Sequence, residues 1–290
     1  MIRYADASSE PAVRTMWKLC FNDSDAFMEL YFREKYRPDS TLIYYHEGIA
    51  AASLQMLPFR FRFWGKEIPV VYLSGLCTLP DFRKRGFMGR LIRKSFDEMG
   101  RNGIALAVLV PQDKAVMRYY ETFGFARTFD DGVPQPSLKE LMLNCRGDLE
   151  AAYRTFDAHY RHRDMTVQKT LADFRSIVED AALSGFPEKT SLTGMSRIID
   201  AEKLTSIFAG ANVGLPFSIS VRDEILSQNN RIFSVEKGKI GKTGGENNPD
   251  LTVDVQELAQ LLLGYRTSEK RSAYHSLFPE KKTLICFMME

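Results

Sequence analysis

The 290-residue chain contains nothing close to the roughly 18 consecutive apolar residues that a membrane-spanning helix needs. Its opening, Met1-Ile2-Arg3-Tyr4-Ala5-Asp6, lacks the apolar core of a secretory signal, so the expectation is a cytoplasmic protein with no membrane partner. Cysteine is scarce: Cys20, Cys77, Cys145 and Cys286 form no Cys-x-x-Cys pair and have no histidine at ligand spacing. That argues against both a zinc site and a disulfide framework, and the expectation is no metal. The histidines are as few, and His159 and His162, three apart, have no third ligand beside them and read as a solvated helix face. Charge of one sign is also missing. With 39 Lys+Arg against 37 Asp+Glu the net charge is +2, which excludes the strongly basic stripe of a nucleic-acid binder.

What is present is apolar content, 44% of residues, enough for a large core and, at this length, for two domains. Residues 42–45 and 49–58 flank His46-Glu47-Gly48 as a hairpin, and Phe59-Arg60-Phe61-Arg62-Phe63 alternates as a third strand ending at Gly65-Lys66. A β-rich stretch, residues 68–79, stops at Pro80-Asp81. After the basic segment that follows, Leu91, Ile92, Phe96 and Met99 recur at helical spacing. Residues 104–110 form a short apolar run read as a buried strand, and a helix over 115–123 stops at Gly124. From 148 to about 185 the chain is charged and helix-prone. Beyond it lie strand-like runs at 217–221, 231–235 and 250–255 and a helix at 256–263.

The segment Arg83-Lys84-Arg85-Gly86-Phe87-Met88-Gly89 joins a strand to a helix. A helix N-terminus exposes unpaired N–H groups and the positive end of a dipole, and Gly86 among basic side chains lets backbone approach an anion. The spacing is neither that of a Walker loop nor that of a dinucleotide fingerprint. Taken alone, a solvated surface turn explains it better.

In context, Arg-x-x-Gly after the strand ending Thr78-Leu79-Pro80, then helix, apolar strand, and Tyr119-Tyr120-Glu121-Thr122-Phe123-Gly124-Phe125, resembles the GNAT superfamily of N-acetyltransferases over roughly residues 1–145. Met195-Ser196-Arg197-Ile198-Ile199-Asp200, the strand ending Thr252-Val253-Asp254-Val255, and residues 257–265 are similar to the C-terminal sterol-carrier-like domain of the enhanced-intracellular-survival acetyltransferases. The resemblance implies an α/β protein in three parts: a GNAT domain over 1–147, a helical connector over 148–194 standing for a reduced middle domain, and a smaller α+β sterol-carrier-like domain over 195–290. It also implies acetyl-CoA as acetyl donor, its pyrophosphate on the amides of Arg83 to Gly89 and its pantetheine arm along Leu76, Cys77 and Thr78. The family's usual small residue two places after Gly86 is Met88 here, a departure that this subfamily tolerates.

By the same resemblance Tyr120, three residues before Phe123, is the general acid that protonates the departing thiolate, and the terminal carboxylate of Glu290 is the base. For Tyr120 the alternative is packing against the sheet. For the apolar tail 284–289 it is an edge strand of the second domain. Trp17, Trp64, Phe59, Phe61 and Phe63 are candidates for an acceptor pocket or for plain core, and Asp25 and Glu29 for binding a cationic acceptor. The expected function is acetyl transfer to a primary amine of a small molecule or a peptide. The alternative is a non-catalytic protein that binds CoA or an apolar ligand. The apolar runs permit a homo-oligomer.

Overall fold

A computed structural model of the chain describes residues 1–214, 216–242, 248–270, 274 and 276–289. The chain opens with β1 (Ile2–Tyr4) and two helices, α1 (Glu10–Phe21) and α2 (Asp25–Glu34), followed by the antiparallel meander β2 (Thr41–His46), β3 (Ile49–Phe63) and β4 (Lys66–Thr78). Next come α3 (Phe87–Arg101), β5 (Leu106–Leu109), α4 (Lys114–Glu121) and β6 (Ala126–Phe129). The middle holds α5 (Leu138–Asn144), α6 (Leu149–Tyr160), β7 (Thr166–Gln168), α7 (Leu171–Leu183) and β8 (Gly194–Ile198). The last part holds α8 (Ala201–Ala211), β9 (Phe217–Arg222), β10 (Ile232–Glu236), β11 (Lys239–Lys242), β12 (Leu251–Asp254) and α9 (Val255–Leu262).

One sheet runs β1-β2-β3-β4-β5-β8-β6, with β7 added to the far part of β3, and a second runs β11-β10-β9-β12. The first sheet is covered by α3 and α4 on one face and by α1, α2 and the C-terminal elements on the other, each layer enclosing its own apolar cluster. The sequence reading splits β3 at Pro58, but the strand is continuous. Pro58 has no N–H to donate, and it falls between Gln55, where pairing with β2 stops, and Arg60, where pairing with β7 begins. The missing donor therefore costs no ladder bond on that edge. The alternation of Phe61 and Phe63 inward and Arg60 outward holds as read.

Residues 195–198 need a correction. Read above as part of the opening of the C-terminal unit, they belong to β8, which lies inside the first sheet between β5 (Leu106 opposite Ile198) and β6 (Ala126 opposite Ser196). A buried strand carries the same local pattern whichever sheet it joins. The segment from Asp130 to Thr193 is thus inserted between two neighbouring strands of one sheet, and its helices enclose a separate cluster of Leu138, Phe156, Phe174 and Ile177. The apolar tail closes this cluster: Leu284 N–H bonds Met165 O at 2.8 Å, and the Phe287 ring meets Phe156 at 5.6 Å. Glu290 lies outside the described residues.

The two sheets are joined through buried polar contacts. Gln256 and Gln260 of α9 donate to Phe125 O (2.8 Å) and Arg127 O (3.0 Å), covering the exposed edge of β6. Trp64 Nε1 donates to Leu262 O at 2.7 Å, so this tryptophan serves the interior, as Phe61 and Phe63 do. No helix among the described residues is long and apolar enough to cross a membrane.

Candidate active site

The site begins with a fault in the sheet. β4 and β5 run parallel but pair only at Val71–Ala107 and Tyr72–Val108. Just beyond, β4 carries one residue too many against β3: Gln55 faces Ser74 while Ser53 faces Cys77. Gly75 absorbs the extra residue at φ +58°, and a Cβ there would lie 2.5 Å from Trp17 Cζ3, so both the backbone angle and the ring demand glycine. The bulge turns β4 away from β5, and the two strands part as a wedge. Two connected chambers fill it, of about 310 and 480 Å³, with Phe21, Leu76, Gln112, Val116 and Tyr120 in the walls of both.

The larger chamber is bounded by the end of β4 and the start of α3. Its lining includes Leu76, Cys77, Thr78, Arg83, Lys84, Gly86, Phe87 and Met88, which brings most of the expected donor residues together. Lys84 (φ +61°) and Gly86 (φ +75°) both take the left-handed conformation, which bends the loop around this chamber. Seven of the nine helices among the described residues have a side chain bonded to their first-turn amides, from Ser24, Asp113, Ser137, Asp148, Thr170, Asp200 and Asp254. The start of α3 has Gly86 and no side-chain cap, so its amide donors are left for something else. Arg85 turns aside over the Phe82 ring at 5.3 Å, and Gly89 is where Phe123 packs against α3, 3.1 Å from where a Cβ would stand. Neither lines the chamber. Met88 does, as a large side chain in the first turn of α3.

The family model of the acetyltransferase (GNAT) domain matches residues 1–128, and that of the sterol carrier protein domain matches residues 199–281. Similar solved structures include a GCN5-related N-acetyltransferase from Anabaena variabilis, at 14% identity and a TM-score of 0.66, with 95% of this chain and 93% of that one covered. A probable N-acyltransferase from Enterococcus faecalis aligns at 13% identity and a TM-score of 0.69, covering 95% and 93%. Eis1 from Mycobacterium abscessus aligns at 16% identity and a TM-score of 0.65, covering 98% of each chain. Among curated proteins none matches. The N-terminal part has the GNAT fold. A sterol-carrier-like domain follows it, and at these identities the structural likeness speaks for the fold.

Within the GNAT fold, α4 holds Tyr120 at the point where the chambers meet. Tyr120 is 7% exposed, and among the described residues its hydroxyl has no hydrogen-bond partner. Burial, with Tyr119 adding to it, pushes the phenol well above its usual range, so it is a neutral donor at neutral pH. Its neighbour Tyr119 is 40% exposed and reaches only the larger chamber. The smaller chamber is walled by Trp17, Asp23, Tyr72 and Ser74. Trp17 Nε1 donates to Asp23 Oδ2 at 2.7 Å, and the Ser74 hydroxyl shares a 2.8 Å hydrogen bond with Tyr31.

Asp23, Ser74 and Gln112 were not singled out in the sequence. Asp23 carries no motif; the left-handed Asn22 that ends α1 puts it at the chamber wall. The acidic candidates that were named go elsewhere: Asp25 pairs with Lys18 at 2.7 Å and Glu29 with Arg14 at 2.8 Å, both at the surface. Asp23 also borders a third cavity, of about 660 Å³, whose wall includes Phe287, Met288 and Met289 of the tail. The tail thus runs up to the site's edge.

Proposed function

We propose that the protein is an acetyl-CoA-dependent N-acetyltransferase that acetylates a primary amine. The single observation that carries this reading is a neutral, buried tyrosine at the meeting point of an amide-lined anion hollow and a small chamber holding a carboxylate. Lys84, Gly86, Phe87 and Met88 supply the backbone of the hollow and Arg83 and Lys84 its side-chain charge, a fit to a pyrophosphate that the missing cap on α3 supports. The parted edge of β4 at Leu76 to Thr78 is open to an extended chain, as pantetheine is. When bound, the donor supplies an activated acetyl thioester.

The protein's own groups do the rest. An amine attacks only as the free base, and Asp23, with one oxygen held by Trp17, is the carboxylate in the smaller chamber that orients the acceptor and draws off its proton. Tyr120 gives its proton to the departing sulfur. Glu290, assigned as base through family resemblance, keeps that role as a second proposal. The Trp17 and Tyr72 rings exclude water from the chamber. The acceptor is a small-molecule amine or a peptide lysine.

The test is calorimetric titration with CoA and acetyl-CoA of the intact protein and of Arg83→Ala, followed by a screen of polyamines, aminoglycosides and lysine peptides. Losing one charged contact to phosphate is expected to weaken CoA binding by ~1.5–3 kcal/mol, roughly ten- to a hundredfold. No binding of CoA by the intact protein rules out the enzyme reading and leaves an apolar-ligand role for the C-terminal domain.

A further inference from the structure

Two of the four cysteines stand in the wall of the larger chamber. Cys20, in the last turn of α1, and Cys77, on β4, come from distant parts of the sequence and meet there as neighbours, Cys20 lying against Thr78, the residue after Cys77. Each is further fixed in place. Cys20 Sγ bonds Thr78 O at 3.4 Å and has Arg83 Nη2 at 3.9 Å, while Cys77 Sγ shares a 3.1 Å contact with the Ser53 hydroxyl. Cys20 is partly accessible from the chamber, and Cys77 is 2% exposed behind it.

This geometry splits the two thiols chemically. The neighbouring Cys77, and then the Arg83 guanidinium, lower the Cys20 thiol against the opposing effect of burial. The same contact and burial push Cys77 up. Cys20 is thus the more accessible and more acidic of the two thiols, the nucleophile, and the buried Cys77 is the resolving group. Cys286, by contrast, is buried away from this chamber, and burial pushes its thiol up.

We propose that Cys20 is a modification site that exchanges with low-molecular-weight disulfides entering the donor chamber, and that Cys77 resolves the adduct into a Cys20–Cys77 disulfide. In the first step the Cys20 thiolate attacks one sulfur of the small disulfide, forming a mixed disulfide and releasing one thiolate. In the second, Cys77 gives its proton to solvent and attacks Cys20 sulfur, releasing the second small thiol. Two protein thiols are oxidised and one small disulfide is reduced to two thiols. The bond ties the end of α1 to β4 across the chamber wall and draws Arg83 and Thr78 with it, so the oxidised protein holds CoA at least tenfold less tightly. That last consequence rests on the acetyltransferase reading; the exchange itself does not.

The experiment treats the reduced, full-length protein with oxidised glutathione at neutral pH, blocks free thiols with N-ethylmaleimide and maps the products by mass spectrometry. A Cys20–Cys77 link that dithiothreitol reverses is expected, with Cys20 modified ahead of the other cysteines. Cys77→Ser is expected to accumulate a stable glutathione adduct on Cys20. Cys20 reacting no faster than Cys145, or glutathione remaining on Cys20 of the unaltered protein, overturns the proposal. Both of these are read without any variant, so a misfolded Cys77→Ser does not block the decision. Linked protein that binds CoA as tightly as the reduced form overturns the effect on the chamber. Failure of the reduced protein to bind CoA counts against the acetyltransferase reading, while the peptide map still decides the exchange.

Discussion

At the junction between the two sheets, Arg197 and Asp223 are buried as an ion pair in which each guanidinium nitrogen has a partner: Nε with Phe123 O at 2.8 Å, Nη1 with Ile198 O at 2.7 Å, and Nη2 with both Asp223 oxygens. Asp223 also accepts from Asn229 Nδ2 and from the amides of Ile225 and Leu226. At the split between β4 and β5 the polar groups are arranged the other way. The amides opening α3 have no side-chain cap, and the Tyr120 hydroxyl and the Asp23 carboxylate face cavities. Satisfied polar groups hold two layers in one register, whereas groups left open in a formed cavity are poised for a ligand. The same chain does both within one continuous core, and the difference marks which polar residues are structural.

Substitutions on the two sides of this comparison should separate activity from stability. The largest expected effect is Tyr120→Phe, which leaves the fold and CoA binding intact and slows acetyl transfer by about 10²–10⁴-fold, the usual scale of general-acid catalysis, in a steady-state assay. An unchanged rate breaks the assignment of the open group. On the closed side, Arg197→Met strands the Asp223 carboxylate and is expected to cost roughly 3–5 kcal/mol in a urea titration, with the activity of the folded fraction retained. Burial pushes Asp223 up, but the Arg197 charge and the hydrogen bonds outweigh it and hold the carboxyl below its usual value. Its folded value therefore lies below the unfolded one of roughly 3.9. The pair's contribution is complete above that pH and is lost as pH falls through the folded value, so the cost of Arg197→Met should shrink in strongly acidic urea titrations.

Gly75→Ala joins the two sides, because it strains the bulge that opens the cleft and drives a Cβ into Trp17. A loss of about 1–3 kcal/mol together with weakened CoA binding is expected by thermal unfolding and calorimetry. Loss of stability with CoA affinity unchanged would show the bulge to be structural only. The narrowest effect is Trp64→Phe, which removes the hydrogen bond to Leu262 O and leaves that buried carbonyl unpaired: a comparable loss of about 1–3 kcal/mol by the same unfolding measurement, but no change in CoA binding or kcat.

Much of this was legible in the residues. The period of apolar positions marked the helix after the loop, the strand at 104–110 and the helix ending at Gly124. Arg83 to Gly89 was legible as a loop joining a strand to a helix, and only its context and the family resemblance favoured an anion site over a solvated turn. Local pattern could not say which sheet takes residues 195–198, since a strand buried on both faces looks alike in either. Nor could it find Asp23, whose role depends on a left-handed Asn22 and on Trp17 folding back over it.

By itself, then, the order of residues determined most of the elements, the strand-loop-helix junction at Arg83 to Gly89 and the resemblance that named the tyrosine, because these depend on neighbours within a turn or two of chain. Tertiary structure alone decided that β4 and β5 part at Gly75, that Cys20 meets Cys77, that Asp130 to Thr193 is an insertion and that Arg197 finds Asp223. Each of these joins residues tens of positions apart, where packing geometry and desolvation set the outcome and sequence periodicity carries no information.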